Sequence, residues 1–357
     1  MRVTRRELGR WAAAGIALSH LDAQERKIGY GIVGLGRISM QHFMPALKVS
    51  TQARLVALVS GHRDKAEKQA REYGLAEKNI YSYENFEAIA DNKDVDAVYI
   101  ALPNSMHAEY TIRAARAAKH VLCEKPMATT VKDSQEMIEA CRKANRKLMI
   151  AYRCQLEPTN LRAIQLIREG KLGKIQAIES ANGFNIQPKE WRLSGKLAGG
   201  GPLMDVGIYS LNACRYLTGE EPGEIKADAS VIDHDGRFNE VEENLSWTMK
   251  FPSGIVASCN TTYGCNMPGF YRVHGSRGMM HVEPCFPYEG QHLTAKIQDE
   301  APIDEPNPAR DPSQFVREAD HLAECILQNR EPKPSGEEGL KDMRLIMQIY
   351  KSCGRGR

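Results

Sequence analysis

Residues 27–150 read as an α/β domain with a doubly wound parallel sheet, and residues 151–357 as an α+β domain on an open, mostly antiparallel sheet. Three features predict this division. Short apolar runs alternate with amphipathic helical stretches in the first half, and a glycine-containing turn directly follows the first run. In the second half, strand-length segments follow one another without helices between them. Strands that alternate with helices pair in parallel through right-handed crossovers, whereas strands in succession favour antiparallel neighbours.

The five runs of the first domain are IGYGIVG, ARLVALVS, DAVYIAL, HVLCEK and KLMIAY, with helical segments such as DKAEKQAREYG and TIRAARAAK among them. A helix over 158–169 opens the second domain. It is followed by KIQAIESANGF, NLSWTMKF, GIVASCNTTY and FYRVHGS, which alternate or cluster apolar residues at strand length, with the turn PSG between two of them. Helices are expected over 202–217, 313–329 and 337–351. Neither an internal repeat nor a low-complexity tract is visible.

At 357 residues, 42% hydrophobic and 26% charged, the chain can bury two cores. Its net charge is +3, and residues 1–23 hold four arginines against Glu7 and Asp22, so the remainder is nearly neutral. That composition lacks the basic footprint of a nucleic-acid binder. The nine cysteines form no C-x-x-C motif and fall mostly inside apolar patterns, so they read as small buried hydrophobes and not as a metal site.

The N-terminus carries its own pattern. Arg5 and Arg6 precede an apolar run from Trp11 to Leu18, with small residues near Ser19 and Ala23. The run is too short for a membrane span, which needs about 20 apolar residues. A basic start, an apolar middle and small residues at a cleavage point are the parts of a secretory signal, and paired arginines point to the twin-arginine route. Leu8 and Gly9 depart from the usual phenylalanine and leucine of that pattern. The other reading is an amphipathic N-terminal helix. Twin-arginine export carries folded proteins, so thiols buried before export are compatible with it.

The first strand leads into GLGRIS, where Gly34 and Gly36 permit a tight turn and close approach to a pyrophosphate at the start of the helix that includes Arg37 and Ile38. Ser39 replaces the third glycine of the dinucleotide fingerprint. With a strand before and a helix after, the motif predicts a Rossmann-type dinucleotide site. At the end of the second strand, SGHRDK offers Ser60 where a carboxylate would select NAD, followed by Arg63 and Lys65. A hydroxyl and two cations suit a 2′-phosphate, so NADP is expected.

Three further segments lie where ligands bind in such sheets. CEKP places Glu124 and Lys125 at the carboxyl end of a parallel strand. AGGGPLMDVGIYS puts Pro202 in a first helical turn, with Asp205 and Tyr209 four apart on one face. A lysine cation beside Tyr209 would favour the phenolate and make a pair able to move a hydroxyl proton, although Tyr209 also reads as a core aromatic. LPNSMH ends another parallel strand with Leu102, Asn104 and His107 near the cofactor. There Ser105 is a candidate helix cap, and His107 is either a ligand or a structural histidine.

Taken together, EKPMATT, LPNSMHAEY, AYRCQLEPTNLRAIQLIREGKLG, WRLSGKLAGGGPLMDVGIYSLNACRYLTGEEP and PSGEEGLKDMRLI resemble the glucose-fructose oxidoreductases. These are a branch of the Gfo/Idh/MocA sugar and inositol dehydrogenases, and the chain is identified as a member of that group. The resemblance covers nearly everything after residue 27. It implies that Lys125 and Tyr209 are the catalytic pair with Asp205 beside them, and that Arg153, Trp191 and Arg192 contact sugar. It also implies that Ser60 and Lys65 select NADP and that the chain is exported. The family's proline-rich arm is missing, since only QERK separates Ala23 from the first strand. Permanent cofactor retention and arm-mediated tetramers are therefore not implied, while pairing through the open sheet into a homodimer or homotetramer is.

The function expected is a periplasmic NADP-dependent sugar oxidoreductase that interconverts a cyclic aldose and its lactone. A periplasm without an NADP pool favours coupling to reduction of a second sugar. Two alternatives remain open: a glycosidase that uses the nicotinamide transiently, which the intact EKP motif disfavours, and a cofactor-sensing binding protein without catalysis.

Overall fold

The computed structural model describes residues 26–356, so the export segment read over 1–23 lies outside the described residues. The first sheet comprises β1 (Ile28–Val33), β2 (Ala53–Val59), β3 (Ile80–Tyr81), β4 (Ala97–Ile100), β5 (His120–Cys123) and β6 (Leu148–Ile150). They pair in the order β3-β2-β1-β4-β5-β6, every pair parallel. β1, β4 and β6 are buried along their whole length, as apolar runs covered on both faces require. The chain builds outward from β1 to β3 and then returns to the other side of β1 at β4. This reversal opens a crevice at the carboxyl ends, where ligands bind in open α/β sheets.

The second sheet contains β7 (Ile175–Gly183), β8 (Glu224–Ser230), β9 (Asn244–Lys250), β10 (Val256–Thr262), β11 (Met267–Gly275), β12 (Gly278–Val282), β13 (His292–Ile297) and β14 (Ile303–Pro306). Its order is β14-β13-β12-β11-β7-β10-β9-β8, antiparallel throughout except for the parallel pair β7 and β10. Leu245, Trp247, Met249, Ala257 and Cys259 point to the core, while Ser246, Thr248, Ser258 and Asn260 between them face outward. One face of this sheet is therefore covered and, across β8 to β10, the other is open.

Helix starts follow local chemistry. The Pro158–Arg168 helix begins where the Glu157 carboxylate accepts from the amides of Thr159 (3.0 Å) and Asn160 (2.8 Å), with Pro158 in the first turn. The helix bearing Asp205 and Tyr209 begins where buried Glu242 accepts from the amides of Gly201 (3.1 Å) and Leu203 (3.4 Å). Its first stretch, Leu203–Gly207, is a π-turn that leads into Ile208–Thr218, not the regular helix expected. Such turns are frequent at functional sites.

The Ser313–Leu327 helix, expected in the second domain over 151–357, packs on the first sheet. Phe315, Ala319, Leu322 and Ala323 share a core with Tyr30, Ile32, Phe43 and Tyr99, and the Tyr30 hydroxyl donates to the Ala319 carbonyl at 3.1 Å. With Phe43, Met44 and Leu47, the helix's apolar stripe covers one face of the first sheet. Seven of the nine cysteines are buried, and none described is in a disulfide. Among the described residues no helix is long and apolar enough to cross a membrane.

Candidate active site

The glycine turn after β1 has the shape of a phosphate cradle. Gly34 has φ +96°, and a Cβ there would lie 2.5 Å from the Ala101 carbonyl oxygen, which restricts the position to glycine. A Cβ on Gly36 would meet nothing within 4 Å, so the space over that turn is open. Ser39 donates from its hydroxyl to the Gly34 carbonyl at 2.7 Å, tying the turn to the helix start in place of a third glycine. Arg37 is exposed and pairs with Glu190 at 3.1 Å, while Ile38 is half-buried beside it.

Ser60 follows β2, and its buried hydroxyl accepts from the His62 amide at 3.1 Å. Arg63 is already paired with Glu67 and Glu77, each at 2.7 Å. Lys65 is half-buried, and among the described residues it forms no ion pair. Of the two cations expected at a 2′-phosphate, Lys65 is therefore the one whose charge is not already engaged by carboxylates.

Lys125, at the end of β5, meets the second domain. Its Nζ donates to the Asp205 carbonyl at 2.6 Å, lies 3.4 Å from Asp205 Oδ1, and sits 4.6 Å from the Tyr209 ring centroid. Asp205 Oδ2 also receives Arg192 Nε and the Tyr263 hydroxyl, both at 2.9 Å. Burial acts to raise the Asp205 carboxyl, but Arg192, Lys125 and the Tyr263 hydrogen bond outweigh it and hold the group below its usual range. Arg192 in turn lies 4.7 Å over the ring of half-buried Trp191. Lys125, Asp205, Tyr209, Trp191 and Arg192 are thus brought to one place, with Tyr263 as a member that no motif announced.

The Tyr209 oxygen has a different neighbour from the one expected. Its hydrogen-bond partner is Arg153 Nη2 at 3.2 Å, and Lys125 faces the ring instead. Burial pushes the phenol well above its usual value, with Arg153 opposing it most strongly. The expectation that the Lys125 cation lowers the phenol is corrected: burial raises it, and the main opposing cation is Arg153. Arg153, expected to touch sugar, is 5% exposed and donates inward to Gln314 and to the Phe286 and Pro287 carbonyls.

Four residues expected at the cofactor face inward. Glu124 is buried, accepting from the Tyr99 hydroxyl at 2.6 Å and the Lys125 amide at 3.1 Å, and burial raises its carboxyl. His107 is 1% exposed with its ring nitrogens 2.9 Å from the Pro126 and Leu102 carbonyl oxygens, so it clasps the ends of β4 and β5 as a structural histidine. Asn104 donates to the Ala198 carbonyl at 2.8 Å, joining the two domains, and Leu102 is buried beside it. Ser105 makes no capping bond.

A glycine cradle at the sheet's switch point, a hydroxyl in place of the NAD-selecting carboxylate, and a Lys–Asp–Tyr group where the two domains meet define a nicotinamide-dependent oxidoreductase. Residues 28–152 match the model of the oxidoreductase family with an NAD-binding Rossmann fold, GFO_IDH_MocA, and residues 160–281 match a GFO/IDH/MocA C-terminal domain. The chain belongs to the GFO/IDH/MocA oxidoreductase family. It is similar to D-xylose 1-dehydrogenase [NADP(+)] of Haloarcula marismortui, 32% identical over 344 residues that cover 92% of each chain. It also resembles the solved aldose-aldose oxidoreductase from Caulobacter crescentus in complex with glycerol, with 48% identity and a TM-score of 0.89 over 93% of this chain and 99% of that one. KijD10, a 3-ketoreductase from Actinomadura kijaniata solved with NADP and TDP-benzene, shares the fold. It is 24% identical with a TM-score of 0.81 over 92% of this chain and 98% of that one.

Proposed function

We propose that this chain is an NADP-dependent sugar oxidoreductase that moves a hydride between C1 of a cyclic aldose and the nicotinamide, and that it discharges the reduced cofactor onto a second aldose. The observation that carries the reading is the meeting of Lys125, Asp205 and the Tyr209 side chain at the carboxyl end of the parallel sheet whose switch point holds the glycine cradle. The 48% identity to an aldose-aldose oxidoreductase supports aldoses as both substrates.

The residues present fit the dinucleotide. Gly34 and Gly36 leave its phosphates room against the helix start, and Ser60 and Lys65 stand where a 2′-phosphate would need a hydroxyl and a cation. Bound there, the nicotinamide supplies the hydride acceptor or donor. Tyr209 takes the sugar hydroxyl proton in oxidation and returns it in reduction, as a positioned acid–base group. Lys125, held by Asp205, places positive charge beside that ring, and Trp191 with Arg192 offers an aromatic and cationic wall to a sugar. Residues 1–23 act as a twin-arginine export signal in this reading, and the outward face of β8 to β10 joins copies of the chain.

The test is to add aldoses to the purified chain with NADP+. Reduced-nicotinamide absorbance should rise with a suitable aldose and fall again when a second aldose is supplied. A panel of aldoses that leaves the absorbance unchanged would overturn the reading. Selection of NADP has its own test: Ser60→Asp should weaken NADP+ binding at least about tenfold by facing the 2′-phosphate with a carboxylate. Affinity measured by fluorescence titration should fall for NADP+ and not for NAD+.

A further inference from the structure

The Ser313–Leu327 helix belongs to the core of the first sheet, yet its first turn reaches the proposed acid–base group. Gln314, 3% exposed, accepts from Arg153 Nη1 at 2.6 Å and gives its own amide protons to the carbonyls of Pro287 (3.1 Å) and Tyr288 (2.9 Å). Arg153 Nη1 also donates to the Pro287 carbonyl at 3.2 Å, and Nη2 donates to the Phe286 carbonyl and to the Tyr209 hydroxyl oxygen. The guanidinium is thus aimed by protein acceptors on the side away from Tyr209. Phe286 stacks on the Tyr209 ring with centroids 5.5 Å apart, fixing the ring from the same strap.

We propose that Gln314 and the Phe286–Pro287–Tyr288 strap hold Arg153 as the cation that positions the Tyr209 hydroxyl and carries its charge when the proton leaves. The inference rests on the acid–base reading of Tyr209. Arg153 is assigned as a positioning residue rather than a sugar contact, and Gln314 acts through it.

The neighbours of Tyr209 decide the matter. Arg153 and Cys154 face it from the segment after β6, Glu124 from the end of β5, and Tyr288 from the strap. Lys125 lies over the ring face, with its ammonium directed to Asp205. Glu318, one turn after Gln314, faces Arg153 from the same helix. Among the described residues Arg153 is the cation within hydrogen-bond distance of the phenol oxygen. A charge-assisted bond to the ionised oxygen is about twice as strong as a neutral one. Without it, burial and the Glu124 carboxyl act together against the phenolate.

The experiment places a fluorinated tyrosine at position 209 of the full chain and follows its fluorine resonance against pH, alongside pH profiles of sugar-dependent NADP+ reduction. Arg153→Met should raise the titration midpoint by about one unit or more, roughly tenfold less phenolate at a given pH. The acidic limb of the kcat/KM profile should shift with it. Gln314→Leu should move both in the same direction by less, and Arg153→Lys, which keeps charge without the fork, should fall between wild type and Arg153→Met. An unmoved resonance and limb with a raised KM for sugar alone would overturn the proposal and make Arg153 a sugar contact. A moved resonance in a chain for which no aldose supports NADP+ reduction would uphold the positioning role while the proposed function fails.

Discussion

Tyr209→Phe should lower sugar-dependent NADP+ reduction by about 10²- to 10⁴-fold, the range that one acid–base group supplies, with NADP+ affinity unchanged. The substitution removes one oxygen and leaves the surrounding packing intact. Phe286 still stacks on the ring, Lys125 still lies 4.6 Å from its centroid, and Arg153 keeps Gln314 and the Phe286 and Pro287 carbonyls as acceptors. The loss therefore reports the hydroxyl and not the fold. Because burial holds the phenol above its usual value, the wild-type oxidation rate should climb with pH as the phenolate fraction grows, and the variant should lack that dependence. Turnover within a few-fold of wild type, with the pH dependence intact, would remove Tyr209 from the chemistry.

Much of this arrangement is legible in the sequence because it depends on local pattern. β1, β2, β4, β5 and β6 are continuous apolar runs, and the glycine turn carries its chemistry in adjacent residues. Lys125 lies at a strand end that the alternation of strands and helices already locates. β3 is invisible for the opposite reason, since two residues, Ile80 and Tyr81, cannot show a period. The side chains that were misplaced depend on distant partners. Arg153 looks like a free cation until Gln314, 161 residues later, turns it inward. His107 cannot be told from a ligand until the Pro126 carbonyl is found at its ring. Tyr263 reaches Asp205 across 58 residues from the end of β10, and no spacing rule connects the two. The Ser313–Leu327 helix shows an apolar stripe in sequence, but which sheet covers it is a tertiary fact.

The same dependence on distant partners makes Arg215 the position where the largest loss of stability is expected. It sits on the Ile208–Thr218 helix that carries Tyr209, with its side chain 3% exposed, and it reaches three carboxylates. Nη1 lies 2.6 Å from Asp342 and 2.8 Å from Glu338 on the C-terminal Gly336–Ser352 helix, and Nε lies 2.6 Å from Glu221. Arg215→Met leaves these groups unequal. Glu221 and Glu338 are 45% and 24% exposed and can turn to water, but Asp342 is fully buried and keeps neutral partners, the Asn212 amide at 2.9 Å and the Tyr152 hydroxyl, in place of a cation. Breaking a buried pair from one side costs about 3–5 kcal/mol, because the remaining charge stays without its counterpart. Denaturant unfolding should show that loss in Arg215→Met. Adding Asp342→Asn should recover a large part of it, since the buried charge is then gone. If the single variant loses less than about 1 kcal/mol, as a surface pair would, or if the second substitution recovers nothing, the cost does not lie in the stranded Asp342 carboxylate. The anchoring of the Tyr209 helix would then have to be sought in its apolar contacts.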